Sequence, residues 1–192
     1  GLGVDVVRFP ALDVLPGESS VRPDLLADRM LVVRSLLDST SSSRQVIVAP
    51  VHALMQALPD DEDIQASCRV LRPGEQLDRE ELVQWLVEGG HVRVMGIEEP
   101  GEFAVRGDII DIFPMAGEPA RIDVDGEQIE SIRVIELGTI GSDRALLRFD
   151  LLRRSSMLRD PHEASTTLLD RLDGSWRVVV DDLAEVTEQG RS

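Results

Sequence analysis

Histidine and cysteine, the residue types most used for nucleophilic and metal chemistry, are scarce in this sequence. The three histidines, His52, His91 and His162, are scattered, and no two have the i, i+4 spacing that places two metal ligands on one helix face. Cys68 is the only cysteine, which excludes an internal disulfide and a cysteine zinc cluster. No cysteine and histidine pattern indicates an acyl-transfer site. We therefore expect structural or surface histidines and no catalytic residue.

Carboxylates are numerous enough to be tested as ligands for Mg²⁺ or Ca²⁺. The run Asp123–Gly126 is similar to part of a calcium loop, but the EF-hand register would place Arg121 and Ile132 at positions that need oxygen ligands. The Asp-Gly pair of that run instead predicts a hairpin turn. Asp108 and Asp111 have opposite parity on a predicted strand, so they do not converge locally. We expect no metal and no cofactor.

The composition excludes several further classes of function. The chain has 36 acidic and 20 basic residues and a net charge of −16, which repels phosphate backbones. All the basic residues are arginine, so this sequence lacks the lysine of a Walker-type phosphate loop. Tyrosine is absent and aromatic residues make up 3%, which argues against a base-stacking platform. No apolar run approaches the roughly 20 residues needed to span a bilayer, and no signal peptide is recognisable, so we expect a cytoplasmic protein with no membrane partner.

The first 60 residues have the pattern of an α/β layer. Strands are predicted at Val4–Phe9 and Gln45–Ala49, and the second is apolar enough for a buried parallel strand. Helices are predicted from Pro23 to near Asp38 and over Pro50–Leu58. The acidic run Pro59–Asp63 is interpreted as a solvated loop at a domain boundary.

The middle of the chain changes from a helical period to a period of two. Asp78 and Glu81 form a capping-box pattern before a helix that ends at Gly89-Gly90. From residue 91 the alternation predicts an antiparallel meander of four or five strands, hence an α+β module. Gly107 is interpreted as a bulge or a close backbone approach. Near the end of the chain, a short helix is predicted over Pro161–Leu172 and an apolar strand over Trp176–Val180.

Three arginines, Arg106, Arg121 and Arg133, lie among many acidic residues of the predicted meander. Planar guanidinium groups on a sheet face can anchor a protein partner. They can also form an internal salt-bridge lattice. The residues themselves favour this internal lattice over a partner site.

The run Glu99–Pro114, followed by Arg121–Asp123 and Gly126–Arg133, closely resembles the second domain of the bacterial transcription-repair coupling factor. The same module occurs in the excinuclease component UvrB. Leu77–Leu82 fits the helix that opens the module, and Phe9–Pro16 is similar to a segment of the preceding domain. UvrB carries a Walker loop and a tyrosine-rich hairpin, whereas this sequence has no tyrosine.

The resemblance implies a fold class and a division into domains. It implies a partial, degenerate P-loop-like α/β layer with an α+β antiparallel-sheet domain inserted in it. Residues 1–64 would be part of the α/β domain, residues 65–150 the UvrA-binding domain, and residues 151–192 a return to the first domain.

The resemblance also implies a function, that of a non-catalytic module recruiting the repair protein UvrA to stalled RNA polymerase. Arg106, Arg121 and Asp123 would carry the UvrA contact. RNA polymerase and DNA would bind through other domains of the full-length protein, an ATP-dependent translocase. The alternative is a truncated, ATP-dependent DNA repair protein of the UvrB excinuclease type. The family usually has two aromatic residues where Val124 and Asp125 stand here.

Overall fold

The computed structural model describes residues 4–12, 22–37, 44–137, 142–153, 166–181 and 187. The chain divides into a first unit, Gly1–Gln65 with Asp160–Ser192, and a second unit, Ala66–Arg159. The helices and strands, in chain order, are β1 Val4–Arg8, α1 Pro23–Leu37, β2 Arg44–Val48, α2 Val51–Met55, α3 Asp61–Ser67, β3 Cys68–Leu71, α4 Arg79–Glu88, β4 Val92–Arg93, β5 Glu102–Arg106, β6 Ile109–Ile112, β7 Ala120–Asp125, β8 Gln128–Ile135, β9 Ser142–Ala145, β10 Phe149–Leu152 and a 3-10 helix Leu169–Arg171.

In the first unit, β1 and β2 form a parallel pair, with Val6 opposite Val46. Helix α1 begins at Pro23, whose fixed φ suits a first helical position, as the sequence predicts. The side chains of Met30 and Val33 in this helix are buried. One face of the strand pair is exposed. Four valines at alternate positions of the two strands are 40% to 62% accessible there: Val4, Val6, Val46 and Val48.

The interior of the first unit contains an arginine that the hydrophobic pattern did not predict. Arg29 of α1 is fully buried, and its guanidinium lies 4.2 Å from the centre of the Phe9 ring. It donates to the carbonyl oxygen of Pro10 at 2.9 Å and to the Gln56 side-chain oxygen at 3.1 Å. Desolvation lowers the pKa of Arg29 to about 10, so the side chain stays charged at neutral pH.

Gln56 connects this arginine to the segment after β1. Its side-chain oxygen also accepts from the Leu12 amide, and its side-chain nitrogen donates to the Leu12 carbonyl, both at 2.8 Å. The Gln56 side-chain amide therefore forms hydrogen bonds with both backbone polar groups of Leu12 and accepts one from the buried Arg29 guanidinium. Backbone groups outside a helix or strand need such partners when they are buried.

Three predictions for the first unit are wrong. The acidic run does not form a loop throughout, because α3 begins at Asp61 and the Asp60 carboxylate accepts from the Asp63 amide at 2.8 Å. Carboxylates suit a helix N-terminus, since they interact favourably with its free amides. Residues 176–180 form no strand, and Val179 is 91% exposed. The predicted helix near residue 170 reduces to the 3-10 turn, with residues 161–165 outside the described part.

The second unit contains a six-stranded sheet in the order β4-β5-β6-β7-β8-β9. Strands β5 to β9 are an antiparallel meander, while β4 pairs with β5 in parallel. Strands β3 and β10, which the period of the sequence did not indicate, form a separate antiparallel pair. One face of the sheet packs with α4 over a core that includes Leu82, Leu86, Phe103, Ile110, Ile112 and Ile122.

Helix α4 follows its sequence signals closely. The Asp78 side chain caps the helix by accepting from the amides of Glu80 and Glu81, at 2.9 Å and 3.0 Å. In a full capping box the Glu81 carboxylate would accept from the Asp78 amide. Here it pairs with Arg69 at 3.0 Å instead. Gly90 ends the helix with a φ of 83°, a conformation that glycine adopts without strain.

Two turns and one bulge set the register of the sheet. The β7–β8 turn is Gly126–Glu127, one residue later than predicted, since Asp125 pairs with Gln128. Gly107 does not form a bulge but begins the two-residue β5–β6 turn with a φ of 61°. On β8, Glu130 is passed over in the pairing, so Ile129 and Ile132 can both face the core.

We expect Gln56→Ala to lower the free energy of unfolding of the first unit by about 1–3 kcal/mol, because it leaves buried polar groups without partners. Gln45→Ala is the matched control, since the Gln45 side chain donates one half-buried bond, to Ser35 at 3.1 Å. Hydrogen exchange resolved by peptide measures the effect: the Leu12 amide should exchange faster in the Gln56 variant. Unchanged exchange at Leu12 would contradict this role of Gln56.

Candidate partner-binding face

The face of the sheet opposite α4 carries the residues singled out by the sequence. Antiparallel register brings Asp111 of β6 opposite Arg121 of β7, and Arg121 opposite Arg133 of β8. Asp123 and Arg106 lie on the same face by strand alternation. We call the surface formed by Arg106, Asp111, Arg121, Asp123 and Arg133 the arginine face.

One carboxylate lies at the centre of the arginine face. Asp111 is 2% exposed, and both of its oxygens are engaged by arginines. Arg121 donates to it through Nε at 2.7 Å and Nη2 at 3.0 Å, a bidentate geometry. Arg106 donates to Asp111 through Nη2 from the hairpin end of β5. Two guanidiniums therefore share a single buried anion.

Neither arginine is sealed inside the protein. The Arg106 side chain is 56% exposed and that of Arg121 is 32% exposed. The hydrogen bond that Arg121 donates to Asp111, together with the charges of Asp111 and Asp123, raises the pKa of Arg121 against the opposing effect of desolvation. A guanidinium carries five N–H donors, so each arginine keeps donors beyond those that Asp111 accepts. Internal ion pairs to Asp111 therefore form, and both guanidiniums remain partly exposed.

Asp123, the third predicted contact residue, is held differently. Its carboxylate accepts from the hydroxyl of Ser131, which lies directly across on β8, at 2.6 Å. The residue is half-buried. Asp125 follows two positions later on the same face and is exposed at the turn.

A small apolar cluster borders the arginine face. Ile97, Ala104 and Ile135 are buried there, and Val94 and Phe113 pack against them. Ala104 lies directly opposite Asp111 in the β5–β6 register. This apolar neighbour, together with the two guanidiniums, accounts for the burial of the carboxylate.

Asp111 is the site residue that sequence reasoning missed. Its parity relative to Asp108 suggested no convergence, and Asp108 in fact lies in the turn and pairs with Arg79 of α4. Asp111 converges instead with residues 5 and 10 positions away in the chain. The signal was a charged residue inside the otherwise apolar β6, where burial requires a paired charge.

Within the residues that the structure describes, the other candidate groups do not assemble a chemical site. His52 is exposed, His91 is buried and stacks on Trp85 with ring centres 6.4 Å apart, and His162 lies outside the described residues. In the described part of the chain, no three histidine, cysteine or acidic side chains are grouped to hold a metal ion. None of the described helices has the length and apolar composition to cross a membrane.

Comparison with known protein families decides what kind of domain carries this face. The family model of the UvrB interaction domain matches residues 70–154, which include every strand from β4 to β10. These residues are a UvrB interaction domain. The arginine face therefore lies entirely within the matched segment.

Similarity to curated proteins extends beyond the UvrB interaction domain. The chain is 30% identical over 155 residues to the transcription-repair-coupling factor of Staphylococcus aureus strain bovine RF122 / ET3-1, covering 80% of this chain and 13% of that protein. It is 35% identical over 130 residues to the transcription-repair-coupling factor of Bacillus subtilis strain 168, covering 67% of this chain and 11% of the relative. The resemblance to the coupling factor is confirmed, and the chain spans little more than a tenth of these relatives' length.

We expect Asp111→Asn to lower the free energy of unfolding of the second unit by about 2 kcal/mol, because it removes the anion shared by two guanidiniums. Asp123→Asn is the matched control, since its amide oxygen can still accept from Ser131, and its effect should stay below about 0.5 kcal/mol. Urea denaturation, followed through Trp85 fluorescence in a Trp176→Phe background, compares the two variants. Equal stability of the two variants would show that the shared ion pair contributes nothing.

Proposed function

We propose that this segment is a non-catalytic interaction module of a transcription-repair coupling factor and that its arginine face binds UvrA. The observation that carries the proposal is the pair of guanidiniums held by Asp111 yet partly exposed, within a UvrB interaction domain. In this proposal Arg106 and Arg121 contact the partner directly. The buried Asp111 carboxylate holds both side chains in position by accepting their hydrogen bonds.

The chemistry of the face favours a protein partner. Exposed guanidinium forks pair with carboxylates and backbone carbonyls at interfaces. Asp123, held in place by Ser131, can accept from an arginine of the partner. A net charge of −16 opposes binding of a phosphate backbone by the same segment.

The remaining functions of such a protein are assigned to other domains. RNA polymerase and DNA would be bound outside these residues, and ATP-driven translocation would reside in the motor of the full-length protein. The segment would act in the cytoplasm, by coupling a stalled polymerase to UvrA.

We further propose that the first unit is part of a degenerate P-loop-like α/β layer into which the UvrA-binding domain is inserted. The parallel β1–β2 pair supports this proposal. The division of the chain supports it as well, because the first unit comprises residues from both ends of the sequence.

Replacing both contact arginines should weaken UvrA binding strongly. We expect Arg106→Ala combined with Arg121→Ala to weaken capture of UvrA by about thirtyfold or more, because arginines that become desolvated at an interface are among the side chains that contribute most to binding. Arg72→Ala combined with Arg93→Ala removes the same charge away from the arginine face and should leave capture unchanged. Titration of each variant with purified UvrA measures the difference. Undiminished capture by the first double variant would rule out this site.

The missing aromatic anchor makes a separate prediction at Asp125. Val124 is buried in the core, whereas Asp125 is exposed on the arginine face, so only the second position can reach a partner. We expect Asp125→Phe to strengthen UvrA binding by roughly 1–3 kcal/mol, the range of an interface anchor. Asp125→Asn separates the loss of charge from the gain of a ring. Weaker binding by the Phe variant, with its fold intact, would contradict the assignment.

A further inference from the structure

Within the described part of the chain, Arg133 is the cation of the arginine face that no internal anion holds. Arg133 is exposed on β8 and, among the described residues, has no hydrogen-bond or ion-pair partner. The two carboxylates of the arginine face are engaged elsewhere: Asp111 accepts from Arg106 and Arg121, and Asp123 accepts from Ser131.

The position of Arg133 in the sheet is unfavourable for the isolated domain. It lies directly opposite Arg121 in the β7–β8 register. Side chains in such cross-strand pairs have Cβ atoms about 5 Å apart, and like charges there destabilise the sheet. Arg121 is already held by Asp111 and cannot turn away without losing two hydrogen bonds.

An anion between the two guanidiniums would turn this repulsion into attraction. We propose that Arg133 and Arg121 together accept a carboxylate of the bound partner, with Arg133 as a contact residue beyond Arg106, Arg121 and Asp123. This inference rests on the proposed function. A protein carboxylate fits better than a phosphate polymer, because the chain that carries the face has a net charge of −16.

The partner's surface is thereby specified in part. It carries an aspartate or glutamate placed over the β7–β8 pair, beside the acceptor group that meets Arg106. Bidentate guanidinium and carboxylate pairing favours arginine over lysine at this position.

The test compares Arg133→Gln with Arg93→Gln in the intact chain. Arg93 is also exposed, likewise has no partner among the described residues, and lies opposite Phe103, which belongs to the packed face. Titration with purified UvrA should show about tenfold weaker binding for Arg133→Gln and no change for Arg93→Gln. Arg133→Lys should recover only part of the loss. Urea denaturation should show Arg133→Gln to be at least as stable as the wild type, because the repulsion from Arg121 is gone.

Each contrary result has its own meaning. Wild-type affinity in Arg133→Gln overturns this inference and leaves the proposed UvrA site intact. Weaker binding accompanied by an equal loss of stability assigns Arg133 a structural role and also overturns it. Failure of the wild-type chain to bind UvrA overturns the proposed function and this inference together.

Discussion

A single buried carboxylate organises the candidate interface. Asp111 engages both guanidiniums through three hydrogen bonds, so two long and flexible side chains are held before any partner arrives. Ordering a long side chain costs conformational entropy. Because Asp111 already orders these two side chains in the free protein, less of that cost remains when a partner binds. Because the anion is buried and the cations are exposed, the domain interior supplies the order while the surface retains the hydrogen-bond donors.

This arrangement depends on the register of the sheet. The two-residue turn at Gly107 places Ala104 opposite Asp111, and the next pairing places Arg121 on the other side of it. A slip of one residue would send the Asp111 carboxylate into the apolar core and Ile112 to the surface. The bulge at Glu130 protects the register further along, since it returns Ile132 to the core after Ile129.

Local signals in the sequence predicted the elements better than their meeting points. The cap at Asp78 and the glycines after α4 defined that helix, because capping depends on near neighbours. The convergence of Asp111 with Arg121 depends on strand pairing, which the period of a single strand does not specify. The acidic run at the start of α3 was wrongly predicted as a loop, because carboxylates suit both a solvated loop and the first turn of a helix.

The arginines of the two units show why burial alone does not identify a binding site. Arg29 is fully buried, its donors are directed at carbonyl oxygens of its own unit, and desolvation lowers its pKa to about 10. Arg121 is partly exposed, and its hydrogen bond with a carboxylate raises its pKa. The first cation is enclosed by neutral groups and stabilises the packing of a loop, α1 and α2. The second is fixed by the buried Asp111 carboxylate while part of its guanidinium faces solvent, so it retains donors that can form charge-assisted hydrogen bonds with a further acidic group.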